Sequence, residues 1–287
     1  MDVKIAGCVI LYNPDNAVVD NIKTYVRYLN KLYIIDNQNG DKVIHTLKNQ
    51  FSNIEIIKHT ENLGIAYSLN EVLKICKGKY THLLTMDQDS YFIDRSMENY
   101  LHELKIFNWD EVLGIGPKIV TESTPPKIET IVTWKKTNRL ITSGNIISVN
   151  NAIKAGGFEE KLFIDEVDYD FCYKGLLLDL KLFICSDGIY LKHSLGNMIT
   201  RHFMYRDWQC MNHNYVRKYY IMRNRLYIYK KYHKFNKKFF VKHYLKANVR
   251  LIFDIIFLED DKVRKLKWAF IGIKDFLFGK MGKKNLA

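Results

Sequence analysis

Apolar residues come in short runs that alternate with amphipathic stretches through the first ninety positions. Residues 4–12, KIAGCVILY, are continuously apolar after the lysine and rich in branched side chains, and they stop at Asn13-Pro14-Asp15, a turn signal. Val18, Ile22, Tyr25, Val26 and Leu29 then repeat at helical spacing over residues 17–29. The cycle repeats. LYIID (32–36) reads as a strand, 41–50 as a helix and IEIIKH (54–59) as a strand. A helix carrying Ala66, Leu69, Val72, Leu73 and Cys76 follows, then a fourth strand, THLLTMD (81–87). Strand and helix in alternation predict an α/β fold with a mostly parallel, doubly wound sheet. Such sheets bind ligands beyond the carboxyl ends of their strands. Asn13, Asp36, Asn62, Asp87 and Asp89 all stand just past a predicted strand. Residues 112–200 are more strand-like and irregular.

Beyond residue 200 the pattern changes. Lys238, Lys242, Lys246 and Arg250 recur every four residues, which lines up one cationic stripe on a helix over 237–258. A second amphipathic segment covers 263–278, with Arg264, Lys265 and Lys267 near Trp268, Phe270 and Ile271. Charge sharpens this division. The net +13 is the sum of −3 over residues 1–200 and +16 over 201–287. Residues 1–200 are therefore expected to form the catalytic domain, and 201–287 a basic, aromatic-rich helical appendage suited to a polyanion or an anionic membrane.

Five scattered cysteines without a C-x-x-C argue against a zinc site or a disulfide framework and fit a reducing compartment. The N-terminus lacks the look of a signal peptide. No apolar run reaches the roughly 20 residues that span a bilayer. A cytoplasmic protein, peripheral at the inner face of the cell membrane, is the expectation.

The chemistry concentrates in a few places. Asp87-Gln88-Asp89 ends a predicted buried strand. A lone D-x-D is usually a solvated turn, but two carboxylates at the rim of a parallel sheet can hold Mg²⁺ or Mn²⁺. Asp36, at the end of IIDN, can accept an imide N–H of uracil or thymine, or make an Asx-turn. Asp165, Glu166, Asp168 and Asp170 crowd four carboxylates into six residues after Gly156-Gly157-Phe158. They read as the acidic first turn of a helix starting near Val167 that also presents one carboxylate into a cleft. His193, in LKHSLG, is taken alone more often a packed histidine than a ligand.

Together VILYNP, IIDNQNG, ENLGIAYSLNEVL, LLTMDQDS, TSGNIIS, GGFEEKLFIDEVDYDFCYK, LKHSLG, YYIMRNRLYIYKKY and GIKDFLFGKMGK resemble the family 2 glycosyltransferases of GT-A fold, in consistent order over nearly the whole chain. The bacterial rhamnosyltransferase branch looks most similar. The resemblance implies an inverting, metal-dependent transferase that uses a nucleotide-diphosphate sugar, dTDP-L-rhamnose before a UDP-hexose or UDP-galactofuranose. The acceptor would be a saccharide or lipid-linked saccharide in cell-surface polysaccharide synthesis. It implies that Leu11, Tyr12, Asn13 and Asp36 hold the base, with Asn62 and Gly64 by the nucleotide. Asp87 would contact ribose or metal, and Asp89 and His193 would ligate Mg²⁺ or Mn²⁺. Asp168 would be the catalytic base, with Asp165, Glu166, Ser143, Gly144 and Asn145 near the acceptor. Val167 stands where many relatives carry Glu, a departure shared by the rhamnosyltransferase branch.

Three other classes compete. A nucleic-acid-binding protein would use the basic tail, but the first 200 residues are net acidic and carry no recognition motif, so no nucleic acid is expected as partner. A nucleotidyltransferase would share the sheet and release pyrophosphate. A membrane scaffold would tolerate loss of Asp168.

Overall fold

The computed structural model describes residues 3–120, 131–193 and 198–285; the Ser194-Leu195-Gly196 end of the LKHSLG motif lies outside them. The chain divides into two compact units, one of Met1–Glu159 with Asp168–Ser194, the other of Glu160–Val167 with Leu195–Ala287.

The first unit is built on an eight-stranded sheet. Its leading half is β1 (Ile5–Tyr12), β2 (Lys31–Gln38), β3 (Ile54–Lys58) and β4 (His82–Asp87), joined through helices α1 (Ala17–Lys23), α2 (Asp41–Gln50) and α3 (Ile65–Cys76). All four strands run parallel in the order β3-β2-β1-β4, so their carboxyl ends share one edge. β1 is buried for nearly its whole length, as its unbroken apolar run requires of a central parallel strand. The chain continues through β5 (Ser90–Phe92), α4 (Ser96–Glu103), β6 (Val112–Gly116), β7 (Lys118–Val120), β8 (Thr133–Lys136), β9 (Asn145–Ser148), α5 (Val149–Lys154), α6 (Val167–Leu176), β10 (Lys181–Asp187) and β11 (Tyr190–His193). β9 enters antiparallel between β4 and β6, and β10 and β8 complete the sheet. β5, β11 and β7 form a separate three-stranded sheet. Ile5, Val9, Leu11, Ile22, Ile34, Leu84, Met86, Tyr100 and Ile146 share the main core.

Beyond Glu160–Val167 the second unit continues with an antiparallel hairpin, β12 (Met198–Phe203) with β13 (Arg206–Met211), ahead of the helices that the pattern predicts. Three long helical stretches follow. α7 (Tyr215–Tyr232) is capped by Asn214, whose side chain accepts from the Arg217 N–H at 2.9 Å. α8 (Lys237–Phe240), a π-helical turn over Val241–Leu245 and α9 (Lys246–Phe257) form one continuous rod, and α10 (Lys262–Leu277) closes the unit. Ile221, Met222, Leu251, Ile255 and Ala269 pack its core. Lys238, Lys242, Lys246 and Arg250 are all exposed on the rod, opposite the buried Phe240, Tyr244, Asn248 and Leu251. Two buried lysines, Lys218 and Lys265, share the buried carboxylate of Glu259, and burial holds the Lys218 ammonium below its ordinary range. Among the described residues no helix is long and apolar enough to cross a membrane.

Candidate active site

The register of the parallel strands assembles the site. Asp87 pairs with Ile10 across β4 and β1, and Asp36 pairs with Leu11 across β2 and β1. The two aspartates therefore lie at nearly one level on either side of β1, Asp87 as the last residue of β4 and Asp36 two residues before the end of β2, which runs past the predicted stop to Gln38. Gln88 stitches this edge: its amide oxygen accepts from the Tyr12 N–H at 2.8 Å, and its amide nitrogen donates to the Tyr12 carbonyl at 3.1 Å. The Asn21 amide donates to the Gln88 carbonyl at 2.9 Å, which ties the same turn to α1.

Asp89 leads directly into β5, and β5 pairs with β11 so that Ser90 faces His193. This register carries His193 to the two carboxylates. Its Nδ1 lies 3.4 Å from Asp89 Oδ1, 4.0 Å from Asp87 Oδ2 and 2.7 Å from Ser90 Oγ. One ligand atom each from Asp87, Asp89 and His193 fall within 4.8 Å of one another. Two carboxylate oxygens and an imidazole nitrogen suit Mn²⁺ or Mg²⁺, with room left for substrate oxygens. Burial pushes the Asp89 carboxyl up, but its hydrogen bond and attraction to His193 outweigh that and hold it below the usual carboxylate range.

On the other side of β1, Asp36 is buried. Its Oδ1 accepts from the Gly40 N–H at 3.0 Å, while Oδ2 has no hydrogen-bond partner and lies 4.0 Å from the Lys58 ammonium. A Cβ at position 40 would come within 2.7 Å of Asp36 Oδ1, so glycine is what lets the chain fold back over this carboxylate. Asn13 takes a left-handed conformation (φ 46°), and its side chain accepts from Asn39 at 2.6 Å. Tyr12 is exposed, whereas Leu11 is buried and offers a ligand only its backbone. Asn62 accepts from the Gly64 N–H at 2.9 Å, an Asx-turn that starts α3.

The acceptor residues anticipated from sequence have other contacts. Ser143 and Asn145 are buried. Ser143 Oγ accepts from the Asp87 N–H at 3.3 Å, and Gly144 (φ 76°) hydrogen-bonds to Thr85 and Tyr100. Ser143 and Gly144 thereby brace the end of β4. Asp165 and Glu166 are likewise held by the protein itself: Arg217 Nε lies 3.1 Å from Asp165, and Arg225 Nε 3.4 Å from Glu166. Burial still leaves the Asp165 carboxyl above its ordinary range. Phe163, Asp165 and Glu166 all have positive φ, of 66°, 60° and 66°. The strained loop is held by the buried Asn224 of α7, whose single amide group donates to the carbonyls of Leu162, Ile164 and Asp165 at 3.0, 2.6 and 3.0 Å. Arg223 adds a bond to the Leu162 carbonyl at 3.2 Å.

α6 starts at Val167, as the acidic first turn predicts. Asp168 is half-buried, and its Oδ1 accepts from the Tyr169 N–H at 2.9 Å. Asp170 is fully buried, 3.3 Å from Lys174 one turn on.

Residues 8–153 match the profile of Glycosyl transferase family 2, half of the chain. The chain belongs to the family 2 glycosyltransferases. A dTDP-rhamnosyl transferase of Shigella flexneri, RfbF, is 25% identical over 264 residues, 78% of this glycosyltransferase and 79% of the relative. An uncharacterised glycosyltransferase of Methanocaldococcus jannaschii, MJ1057, is 25% identical over 69% of the chain and 73% of its own length. Solved structures agree on a GT-A fold. The mannosyltransferase PcManGT of Pyrobaculum calidifontis, in complex with GDP-Man and Mn²⁺, aligns over 99% of this chain and 76% of its own at a TM-score of 0.54 and 13% identity. GalNAc-T7 with UDP, GalNAc and Mn²⁺ aligns over 67% of this glycosyltransferase at a TM-score of 0.54 and 11% identity; the match spans 44% of that longer chain.

Sequence reasoning missed Gln88, Asn21, Arg223 and Asn224. Gln88 was in view between two aspartates, but it lies in the turn between β4 and β5, and its bonds to Tyr12 are tertiary. Arg223-Asn224 stood inside the YYIMRNRLYIYKKY motif, where an amide in mid-helix is a local oddity that tertiary contacts explain.

Proposed function

We propose that this glycosyltransferase is metal-dependent and inverting, and moves L-rhamnose from dTDP-L-rhamnose to a saccharide or lipid-linked saccharide at an anionic membrane surface. The convergence of Asp87, Asp89 and His193 at the end of β4 carries the metal-dependent part of this reading. The 25% identity to the Shigella flexneri enzyme supports the donor. The exposed row of Lys238, Lys242, Lys246 and Arg250 supports the membrane contact.

Asp36 Oδ2, buried and without a hydrogen-bond partner, accepts the imide N–H of the thymine. Asp87, Asp89 and His193 would hold Mn²⁺ or Mg²⁺, which when bound offsets the charge that grows on the leaving diphosphate. Asp168 takes the proton from the acceptor hydroxyl. That oxygen bonds to the anomeric carbon as the bond from carbon to diphosphate oxygen breaks on the opposite face. One displacement through an oxocarbenium-like state inverts the configuration.

The decisive experiment titrates a panel of nucleotide sugars with Mn²⁺ or Mg²⁺ and follows release of the nucleoside diphosphate. Tightest binding and turnover are expected with dTDP-L-rhamnose, abolished by EDTA and restored by either metal. A UDP-sugar preferred over a silent rhamnose donor refutes the donor assignment, and full activity in excess EDTA refutes the metal.

A further inference from the structure

The second unit contains a groove that the reading above does not use. Its cavity of about 880 Å³ lies between the C-terminal half of α7, the end of α10 and the segment Glu160–Lys161. Lys161, Lys230 and Lys231 line it with Tyr227, Phe276 and Met281, and Glu160 is its one acidic group. The Lys230 ammonium sits 5.8 Å from the Phe276 ring centre and that of Lys231 5.5 Å from the Tyr227 ring centre, so cations and rings alternate on the walls. The walls are fixed. The Gly282 N–H donates to the Lys161 carbonyl at 2.7 Å, and buried Arg223 donates to the Gly282 carbonyl at 2.8 Å. The GKMGK stretch is thereby tied to the segment Glu160–Lys161. Leu277 and Phe278, next in the chain to Phe276, are each 71% exposed.

We propose that this groove binds the prenyl diphosphate part of a lipid-linked acceptor. The ammonium groups of Lys161 and Lys230 complement a diphosphate. Aromatic and thioether walls cover the first isoprene units. Leu277 and Phe278 add exposed apolar surface beside the groove. The inference rests on the reading of the chain as a transferase for a lipid-linked acceptor, and it adds where the carrier is held.

Calorimetric titration of the full chain with farnesyl diphosphate in metal-free buffer tests it, beside the double variant Lys161→Gln/Lys230→Gln. Saturable binding is expected, roughly tenfold or more weaker in the double variant. Inorganic pyrophosphate should compete poorly, and vesicles containing an anionic phospholipid should not displace the ligand. Equal binding by the double variant, no binding by the wild type, pyrophosphate as tight as the prenyl ester, or displacement by the vesicles overturns the proposal. A parallel titration of both proteins with dTDP-L-rhamnose and Mn²⁺ separates the two readings. If it binds while the farnesyl ester does not, the groove alone is wrong; if only the farnesyl ester binds, the donor reading fails instead.

Discussion

Two acidic clusters of this chain carry similar charge and are treated in opposite ways. At the end of β4, Asp87 and Asp89 are partly exposed and face a histidine. In the stretch from Asp165 to Asp170, Arg217, Arg225 and Lys174 stand against Asp165, Glu166 and Asp170. The first cluster gathers two carboxylates and an imidazole as a candidate metal site, and the second meets arginine and lysine side chains of the protein itself. Density of carboxylates is therefore a poor guide to metal binding, because what matters is whether the fold places its own cations there. Within the second cluster Asp168 stands in the first turn of α6, where its Oδ1 accepts from the Tyr169 N–H.

The sharpest way to break this comparison is to neutralise Asp168. Asp168→Asn should lower turnover by on the order of 10²–10⁴ and leave nucleotide-sugar affinity nearly intact, measured by steady-state kinetics and titration. Wild-type turnover would remove Asp168 from the mechanism. Asp170→Asn should do the reverse: it breaks a buried pair with Lys174 and should cost about 3 kcal/mol in chemical denaturation, with smaller effects on turnover per folded molecule. Asn224→Ala removes the donor to three backbone carbonyls of the strained loop, and a loss of about 2 kcal/mol in the same assay is expected. An unchanged midpoint would show that the left-handed residues hold themselves.

The smallest test concerns acid. Burial holds His82 in the first unit and His213 in the second down to about 4 from an ordinary 6.5. Their neutral forms are favoured in the fold, while the unfolded chain takes up protons below pH 6.5, so stability is full above that pH and falls toward pH 4. Each contributes at most about 1.4 kcal/mol per pH unit. His82→Gln should remove about half of this slope in thermal melts. A slope that the variant leaves untouched would assign the acid sensitivity to the carboxylate clusters instead.

The leading half of the sheet was legible because each of its strands is a short apolar run closed by a turn signal, and Asp87 and Asp89 follow from that rule alone; Asp36 does so only approximately, since β2 runs on to Gln38. The start of α6 was legible for the same local reason, an acidic first turn before apolar spacing. His193 was not. It reaches Asp89 only because β11 pairs with β5, a register between residues more than a hundred positions apart, and only family resemblance marked it. For Ser143, Asp165 and Glu166 the polarity was plain, but the Asp87 amide and the arginines of α7 that engage them are tertiary partners that no local pattern announces. The hairpin of β12 and β13 was hidden by a composition that otherwise reads as helix.

The π turn between α8 and α9 has a consequence for the row of Lys238, Lys242, Lys246 and Arg250. Side chains four apart on an ideal α-helix precess by about 40° per step, so four of them would wind through about 120°. A π turn takes up one extra residue with little added rotation, which cancels most of that drift. The row runs nearly parallel to the rod axis, and Phe240, Tyr244 and Asn248 keep phase on the buried side. Deleting one residue between Val241 and Leu245 would let the π turn relax to α geometry and keep the four charges nearly in phase, whereas deleting one between Lys246 and Arg250 would turn Arg250 about 100° away from the other three.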